Sequence, residues 1–459
     1  MALEQHNKAL LTDLYEITMA TSYFEHGMDD RRAGFEMFVR NMPAHRSYMV
    51  AAGLEQVLSY LENLSFTADQ IDYLRSQQVF QDVHDGFWDY LQEFEFTGDV
   101  RAVPEGMLVF PEEPLLSVEA PIIEAQIVET FLLTMLNYQT LVASKAARVT
   151  HAACLDGQER AVVDFGSRRA HGPEAGVLAA RGSYIGGCKA TSNVEAGHKL
   201  GIPISGTQAH SYIMSFDTEE EAFRSYYDSF PHACILLIDT YDVLEGAKKA
   251  IETAPGMRGV RIDSGDIVEL SKQVRKMLDD AGLDEAMVFA SGDLDEYRIA
   301  DLVRKGARVE GFGVGTALVT SKDDPALGGV YKLIAVQKNG EWQPRIKLST
   351  EKATYPGFKE VYRIRTGPGD EFSHDVLAAQ EETAPHGGEP LLETVMEGGR
   401  IVADLPELED IRETAQRQLQ SLPKRYHRLE EADTYPIEVT ELLEEKYRSL
   451  AEELRGDEG

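Results

Sequence analysis

Cys234-Ile-Leu-Leu-Ile-Asp239, Val260-Arg-Ile-Asp263, Phe289-Ala-Ser-Gly-Asp293 and Gly311-Phe-Gly-Val-Gly-Thr316 follow one pattern in a single stretch of chain. Each is a short apolar run, read as a buried strand, that turns polar at its carboxyl end. Amphipathic segments at 267–278 and 296–303 lie between them. Strand alternating with helix predicts a parallel sheet with helical crossovers. Working outward, further strands are expected at 160–165 and 202–204, and the quoted ones over 233–238, 259–262, 287–290 and 309–314. In a βα barrel all the carboxyl ends open on one face, whereas in an open doubly wound sheet they meet only at the switch point. So many polar ends predict a TIM-like βα barrel.

The segment 164–216 concentrates chemistry. It holds Phe165-Gly166-Ser167-Arg168-Arg169, Ala190-Thr191-Ser192-Asn193 and Gly206-Thr207-Gln208-Ala209-His210-Ser211. Each cluster puts glycine or hydroxyl residues beside a cation, an amide or a histidine, surroundings that suit an anion. A phosphorylated or carboxylated small molecule held by several loops is the expected ligand. His210 follows Gly206-Thr207 on the loop after a short strand, and Asp239 at the next strand end is its expected orienter. A carboxylate on one imidazole nitrogen leaves the other free as a nucleophile. Arg261, Asp263, Ser264, Gly265 and Asp266 crowd another strand end. Ser264 or Asp266 can cap the next helix, and an acidic pair there can also hold hydrated Mg²⁺ or ribose hydroxyls. Gly311-Phe-Gly313-Val-Gly315-Thr316 is spaced GxGxG, not as a dinucleotide fingerprint, and reads as a phosphate cradle.

Composition narrows the partners. The 459 residues carry a formal net charge of −33. That disfavours nucleic acid and anionic membrane surfaces, which are bound through Lys and Arg. Three separated cysteines, Cys154, Cys188 and Cys234, make no CxxC pair and fit a reducing cytosol. The first residues lack a signal-peptide core. Segment 122–141 is apolar but carries Glu124, Glu129 and Asn137, so a buried helix is expected and not a membrane span. A cytoplasmic protein is expected. Up to about residue 120 the patterns are mixed, helical pieces at 54–64, 68–76 and 83–94 alternating with a strand-like stretch at 99–111, and charged helices are expected at 408–419 and 437–454.

Asp13-Leu-Tyr15-Glu-Ile-Thr-Met-Ala20, Ala125-Gln-Ile-Val-Glu-Thr130, Phe165-Gly-Ser-Arg168-Arg169, Thr191-Ser-Asn193-Val, Gly206-Thr-Gln-Ala-His210-Ser, Arg261-Ile-Asp-Ser-Gly-Asp266 and Gly313-Val-Gly-Thr316 occur in this order. In that order and combination the chain, from Leu10 to about Arg363, resembles the nicotinate phosphoribosyltransferases. The resemblance implies synthesis of nicotinate mononucleotide from nicotinate and phosphoribosyl pyrophosphate, with ATP as co-substrate, Mg²⁺ as cofactor and a phosphohistidine. It implies an irregular βα barrel, 136–345, packed against an α/β sandwich formed by the N-terminal part, 1–135, and the C-terminal segment, 346–459. It also implies a homodimer with active sites at the interface.

Carried over by residue, His210 looks like the phosphorylated histidine. Phe165 would stack on the pyridine ring, with Tyr15 of a second subunit on the other face. Arg168 would hold the nicotinate carboxylate, beside Ser192. Asp263 would position the ribose and its magnesium, next to Arg261. Asp293 and Gly315-Thr316 would contact ribose and 5′-phosphate. The lysine loop of Lys347, Lys352 and Lys359 is expected at pyrophosphate. Nicotinamide phosphoribosyltransferase is the alternative within this fold. That family has an aspartate where this chain has Ser192, and serine places no charge against a nicotinate carboxylate. Quinolinate phosphoribosyltransferase would call for more cations and no phosphohistidine. A non-catalytic metabolite sensor would not require His210. A Rossmann dehydrogenase would need an early glycine fingerprint.

Overall fold

The computed structural model describes residues 7–348, 354–366 and 370–456, so Lys352 lies outside the described residues. The chain divides into two compact units, Leu141–Pro325 and a second made of Met1–Thr140 with Ala326–Gly459.

The unit Leu141–Pro325 holds a six-stranded parallel sheet that curls as a half barrel. Its order is Ala190–Thr191, Ala161–Asp164, Gly311–Val314, Met287–Ala290, Gly259–Ile262 and Ile235–Leu237. The first strand in sequence, Ala161–Asp164, lies against the last, Gly311–Val314, in the register Gly311↔Ala161 through Val314↔Asp164. Two expected strands, Gly259–Ile262 and Met287–Ala290, form with the expected ends. The expected strand at 202–204 does not: it contributes the single bridge Thr191↔Ile204. Pro203 has no N–H to donate to a ladder, which limits pairing there. Between Thr191 and Ile235–Leu237 the chain itself spans the opening. Ser205 N–H donates to the Thr191 carbonyl at 3.0 Å, and the buried Gln208 side chain accepts from Leu237 N–H at 3.2 Å.

Crossover helices cover this sheet. Ile267–Asp280 begins at Asp266, whose carboxylate accepts from Glu269 N–H at 3.3 Å. Glu296–Arg304 begins at Asp295, which accepts from Arg298 N–H at 2.8 Å. Such caps satisfy amides that the first turn leaves unpaired. In the first of these helices Ile267, Ser271, Val274 and Leu278 are buried, the three-to-four spacing of one helix face.

The other unit draws on both chain ends. Its seven-stranded antiparallel sheet pairs Arg32–Val39 with Gly329–Lys338 and with Pro114–Pro121, and Asp99–Ala102 with Glu393–Glu397. Because Gly329–Lys338 belongs here, the central unit ends at Pro325, ahead of the expected boundary at 345. A four-stranded sheet follows the order Gly388–Pro390, Lys359–Thr366, Glu371–Ala379, Ile437–Val439. The expected helix at 437–454 starts later, as Glu441–Gly456, after that edge strand. Expected helix 122–141 becomes Ile122–Ile127 followed by the longer Glu129–Ala153. Among the described residues no helix is long and apolar enough to cross a membrane.

One expectation about the lysine loop is corrected. Lys359 is buried and pairs with buried Glu36 at 2.5 Å, and its ammonium also donates to the carbonyls of Tyr355 and Gly357 at 3.0 Å each. An ammonium has three donors, and all are spent inside this unit. Lys359 therefore offers no free charge to pyrophosphate. Lys347 is exposed.

Candidate active site

The carboxyl ends of the parallel strands surround a cleft of about 680 Å³. Of the residues named from the sequence, Phe165, Arg168, Ser192, His210, Arg261, Asp263, Asp293, Gly315 and Thr316 line it together. Asp239 lies just behind the wall, Tyr15 belongs to the other unit, and Lys352 is outside the described residues.

The aromatic wall starts at Phe165, directly after Ala161–Asp164. Phe165 packs on Val163, Ala190 and Phe289, with its ring centroid 5.9 Å from that of Phe289. It stays partly exposed, which leaves area for a planar ligand. Gly313 is what allows this: a Cβ there would meet the Phe165 ring at 2.4 Å. Beyond Phe165 a short turn, Ser167–Arg169, presents Arg168 and Arg169 to solvent.

Across the cleft Arg261 is mostly buried, bonds the hydroxyl of Thr207, and lies 3.8 Å from Asp263. Burial lowers its pKa, Asp263 and Asp239 raise it, and nearby Arg168 lowers it again. A guanidinium remains charged throughout, so two cations face the same cleft. Asp263 accepts from the Ser291 hydroxyl. The loop after Met287–Ala290 closes on it because Gly292, at φ +91°, brings its backbone to the Asp263 carbonyl, where a Cβ would lie at 2.2 Å.

His210 opens the short helix His210–Met214 and is half-buried. Here the structure corrects the expected pairing with Asp239. The ring Nδ1 lies 3.2 Å from Thr240 Oγ1. Asp239 Oδ2 instead accepts from Asp263 N–H at 3.2 Å and Ser264 Oγ at 2.6 Å, which shapes the 263–264 turn. The strand ends at Leu237 and the chain bends at Thr240, so a hydroxyl one position on takes the place expected for the carboxylate. The Nδ1 contact leaves Nε2 as the available ring nitrogen.

The sequence reading did not single out Lys322, Ser291, Gly292 or Asp295, which also line the cleft. Ser291 and Asp295 stand at or near a strand end, the signal that picked out their neighbours. Lys322 lies beyond the helix Thr316–Val319 and carried no such signal.

Among the described residues no group of three or more metal-ligating side chains gathers. Magnesium fits such a site, because it keeps its waters and takes one or two carboxylates plus substrate oxygens. Asp263 has the open carboxylate for it, and Asp239 Oδ1 is buried without a hydrogen-bond donor.

Comparison with known proteins bears directly on this arrangement. Three family models match: the nicotinate phosphoribosyltransferase N-terminal domain over residues 10–137, the nicotinate phosphoribosyltransferase family over 160–355, and the C-terminal domain over 384–447. A nicotinate phosphoribosyltransferase of Mycobacterium tuberculosis is 45% identical over 452 residues, covering 96% of this chain and 94% of that protein. One from Bacillus subtilis is 41% identical, covering 94% and 93%. The crystal structure of human nicotinic acid phosphoribosyltransferase superposes with a TM-score of 0.84 at 31% identity, covering 96% of this chain and 99% of that one.

Proposed function

This chain belongs to the nicotinate phosphoribosyltransferase family, and from that premise we propose how its cleft carries out the reaction. The protein is an enzyme of NAD salvage that joins nicotinate to 5-phosphoribosyl 1-pyrophosphate, giving nicotinate mononucleotide and pyrophosphate. The observation that carries the reading is the single cleft on whose walls Phe165, Arg168, Ser192, His210, Arg261, Asp263, Asp293 and Thr316 all stand.

Phe165 supplies the face for the pyridine ring and Arg168 the cation for its carboxylate. The ring nitrogen attacks C1 of the sugar as the bond to pyrophosphate breaks. Positive charge builds on the sugar and negative charge on the leaving group, and fixed cations in a preorganised site stabilise the latter. Arg261 is placed for that, held by Thr207 on one side and Asp263 on the other. Asp263 is the residue that would hold magnesium, which when bound would add charge stabilisation for the departing pyrophosphate. Gly315 and Thr316, at the start of a helix, with Lys322, form the cradle for the 5′-phosphate, and Asp293 takes ribose hydroxyls.

ATP coupling belongs to His210. Its free Nε2 accepts the terminal phosphoryl group of ATP, releasing ADP, and water later removes that group as phosphate. Placed beside the pyrophosphate site, the phosphoryl group alters substrate and product affinity. The active assembly is a homodimer in the cytoplasm, each cleft completed by Tyr15 of a second copy, and the finer architecture is an irregular βα barrel with an α/β sandwich.

The test measures pyrophosphate release with nicotinate or nicotinamide as acceptor, with and without ATP. Nicotinate should be used and ATP should stimulate. Equal use of nicotinamide would favour the amide-specific relative, and no release with either acceptor would leave a binding protein.

A further inference from the structure

Asp164 is fully buried at the carboxyl end of Ala161–Asp164, below the cleft and outside its lining. Its Oδ1 accepts from Gly166 N–H at 2.7 Å and its Oδ2 from Thr191 Oγ1 at 2.8 Å. Its backbone carbonyl accepts from Ser192 N–H at 2.8 Å. Thr191 Oγ1 in turn accepts from Asn193 N–H at 3.0 Å. One residue is thereby bonded to both loops that face the acceptor: the one carrying Phe165 and Arg168, and the one carrying Ser192.

Unlike Asp263 and Asp293, which line the cleft, this strand-end carboxylate is fully buried. A carboxylate without water needs strong compensation, and here its side-chain bonds come from an amide and a hydroxyl, both neutral. Burial pushes its pKa up, while the Thr191 and Gly166 bonds pull it down. Simple closure of the strand would cost less with a neutral residue. What a carboxylate adds is two acceptor oxygens in a fixed plane, which sets the separation of the two donors it holds.

We propose that Asp164 is a positioning residue for the acceptor: through Gly166 and Thr191 it sets the spacing between Arg168 and Ser192, and so controls nicotinate affinity separately from phosphoribosyl pyrophosphate affinity. The proposal rests on the reading of the cleft as a nicotinate site. Phe165 and Arg168 follow Asp164 on one loop, and Ser192 follows Thr191 on the other. The Asp164 to Thr191 bond is the side-chain tie between them, and it crosses adjacent parallel strands paired at Asp164↔Thr191.

The experiment uses the full-length enzyme with Thr191→Val, Thr191→Ser and Asp164→Asn. Steady-state constants for each substrate are measured at saturation of the other, and nicotinate binding is measured by calorimetry. Thr191→Val keeps the side-chain volume and removes the tie, together with the Asn193 N–H bond to the same oxygen. It should raise the nicotinate KM and dissociation constant by about tenfold, the scale of one hydrogen bond to a charged group. Its kcat and its KM for phosphoribosyl pyrophosphate should stay within about twofold of wild type, well below the effect of losing one hydrogen bond. Thr191→Ser restores the hydroxyl and should restore nicotinate affinity, and Asp164→Asn should shift in the direction of Thr191→Val. If Asp164→Asn does not fold, the two Thr191 variants still decide. An unchanged nicotinate constant in Thr191→Val, a parallel loss for both substrates, or a Thr191→Ser variant as impaired as Thr191→Val overturns the proposal. A wild-type enzyme that ignores nicotinate fails the underlying reading instead, before any variant is compared.

Discussion

His210 and Ser192 carry the two residue-scale predictions. The imidazole has its Nδ1 against Thr240 and its Nε2 available, so the proposed phosphorylation would fall on Nε2. His210→Ala should reduce ATP hydrolysis to background and abolish ATP stimulation, while slow uncoupled synthesis persists. A variant that still hydrolyses ATP at the wild-type rate would remove His210 from that role. Ser192 is exposed on the cleft wall, neutral, and anchored through its N–H to the Asp164 carbonyl. Ser192→Asp would set a second carboxylate against that of nicotinate, with like charges close together in a partly dehydrated site. The kcat/KM for nicotinate should fall by more than about tenfold, a modest share of the repulsion expected at contact distance. Equal nicotinate kinetics in the variant would place Ser192 away from the ring. At this scale the strand-end motifs quoted from the sequence came together on one cleft, with Asp239 left off its lining. It misled at Asp239, because the direction of a side chain on an extended segment depends on local twist and turn, not on residue type.

At the scale of elements, short strands with polar ends set the site, and helix packing brings a pH response. The helix Leu14–Glu25 buries Glu16, which shares hydrogen bonds with the hydroxyls of Thr12 and Thr130. Burial, aided by the charge of Glu129, pushes the Glu16 pKa up to about 7 against the hydrogen bonds that lower it. The folded value lies above the unfolded one, so the native state keeps a proton that the unfolded chain releases. Stability therefore falls as pH rises from about 4.5 to about 7 and levels off above it. The effect is on the order of 3 kcal/mol across that window. Glu16→Gln is neutral at all these pH values and should flatten the slope in denaturant titrations. An unaltered slope would assign the effect elsewhere. None of this was visible in the segment Leu14–Glu25 by itself, since Thr130 is distant in sequence and desolvation is a property of the packed state.

For the whole molecule, a net charge of −33 means that anionic substrates meet an adverse field, against which the proposed site sets the local cluster of Arg168, Arg169, Arg261 and Lys322. Tyr15 bears on assembly. It lies on Leu14–Glu25 in the unit built from the two chain ends, is 45% exposed, and its hydroxyl bonds Glu129. In the proposed dimer a two-fold axis makes each contact twice, so each copy lends Tyr15 to the other's cleft. Homodimers of Tyr15→Ala and of Asp263→Ala should each be nearly inactive. Equal amounts mixed and reassociated should recover about a quarter of wild-type activity, because about half the dimers are mixed and each of these has one intact site. No recovery despite measured subunit exchange would keep Tyr15 within its own chain.

The sequence by itself determined the parallel strands at Gly259–Ile262 and Met287–Ala290, the clustering of polar residues at their ends, and the family through motifs in a fixed order. These are local properties: apolar runs of strand length, and loops whose residue types have one chemical use. The tertiary structure alone decided that Pro203 leaves the parallel sheet with a bridge instead of a strand, and that Gly329–Lys338 pairs with Arg32–Val39. It alone decided that Lys359 is spent on Glu36, that Thr240 takes the His210 ring, and that Asp164 joins the two acceptor loops. Each of these depends on a partner distant in sequence or on the direction of one side chain. Such choices are made by burial and by the need to satisfy every polar group once the core has closed.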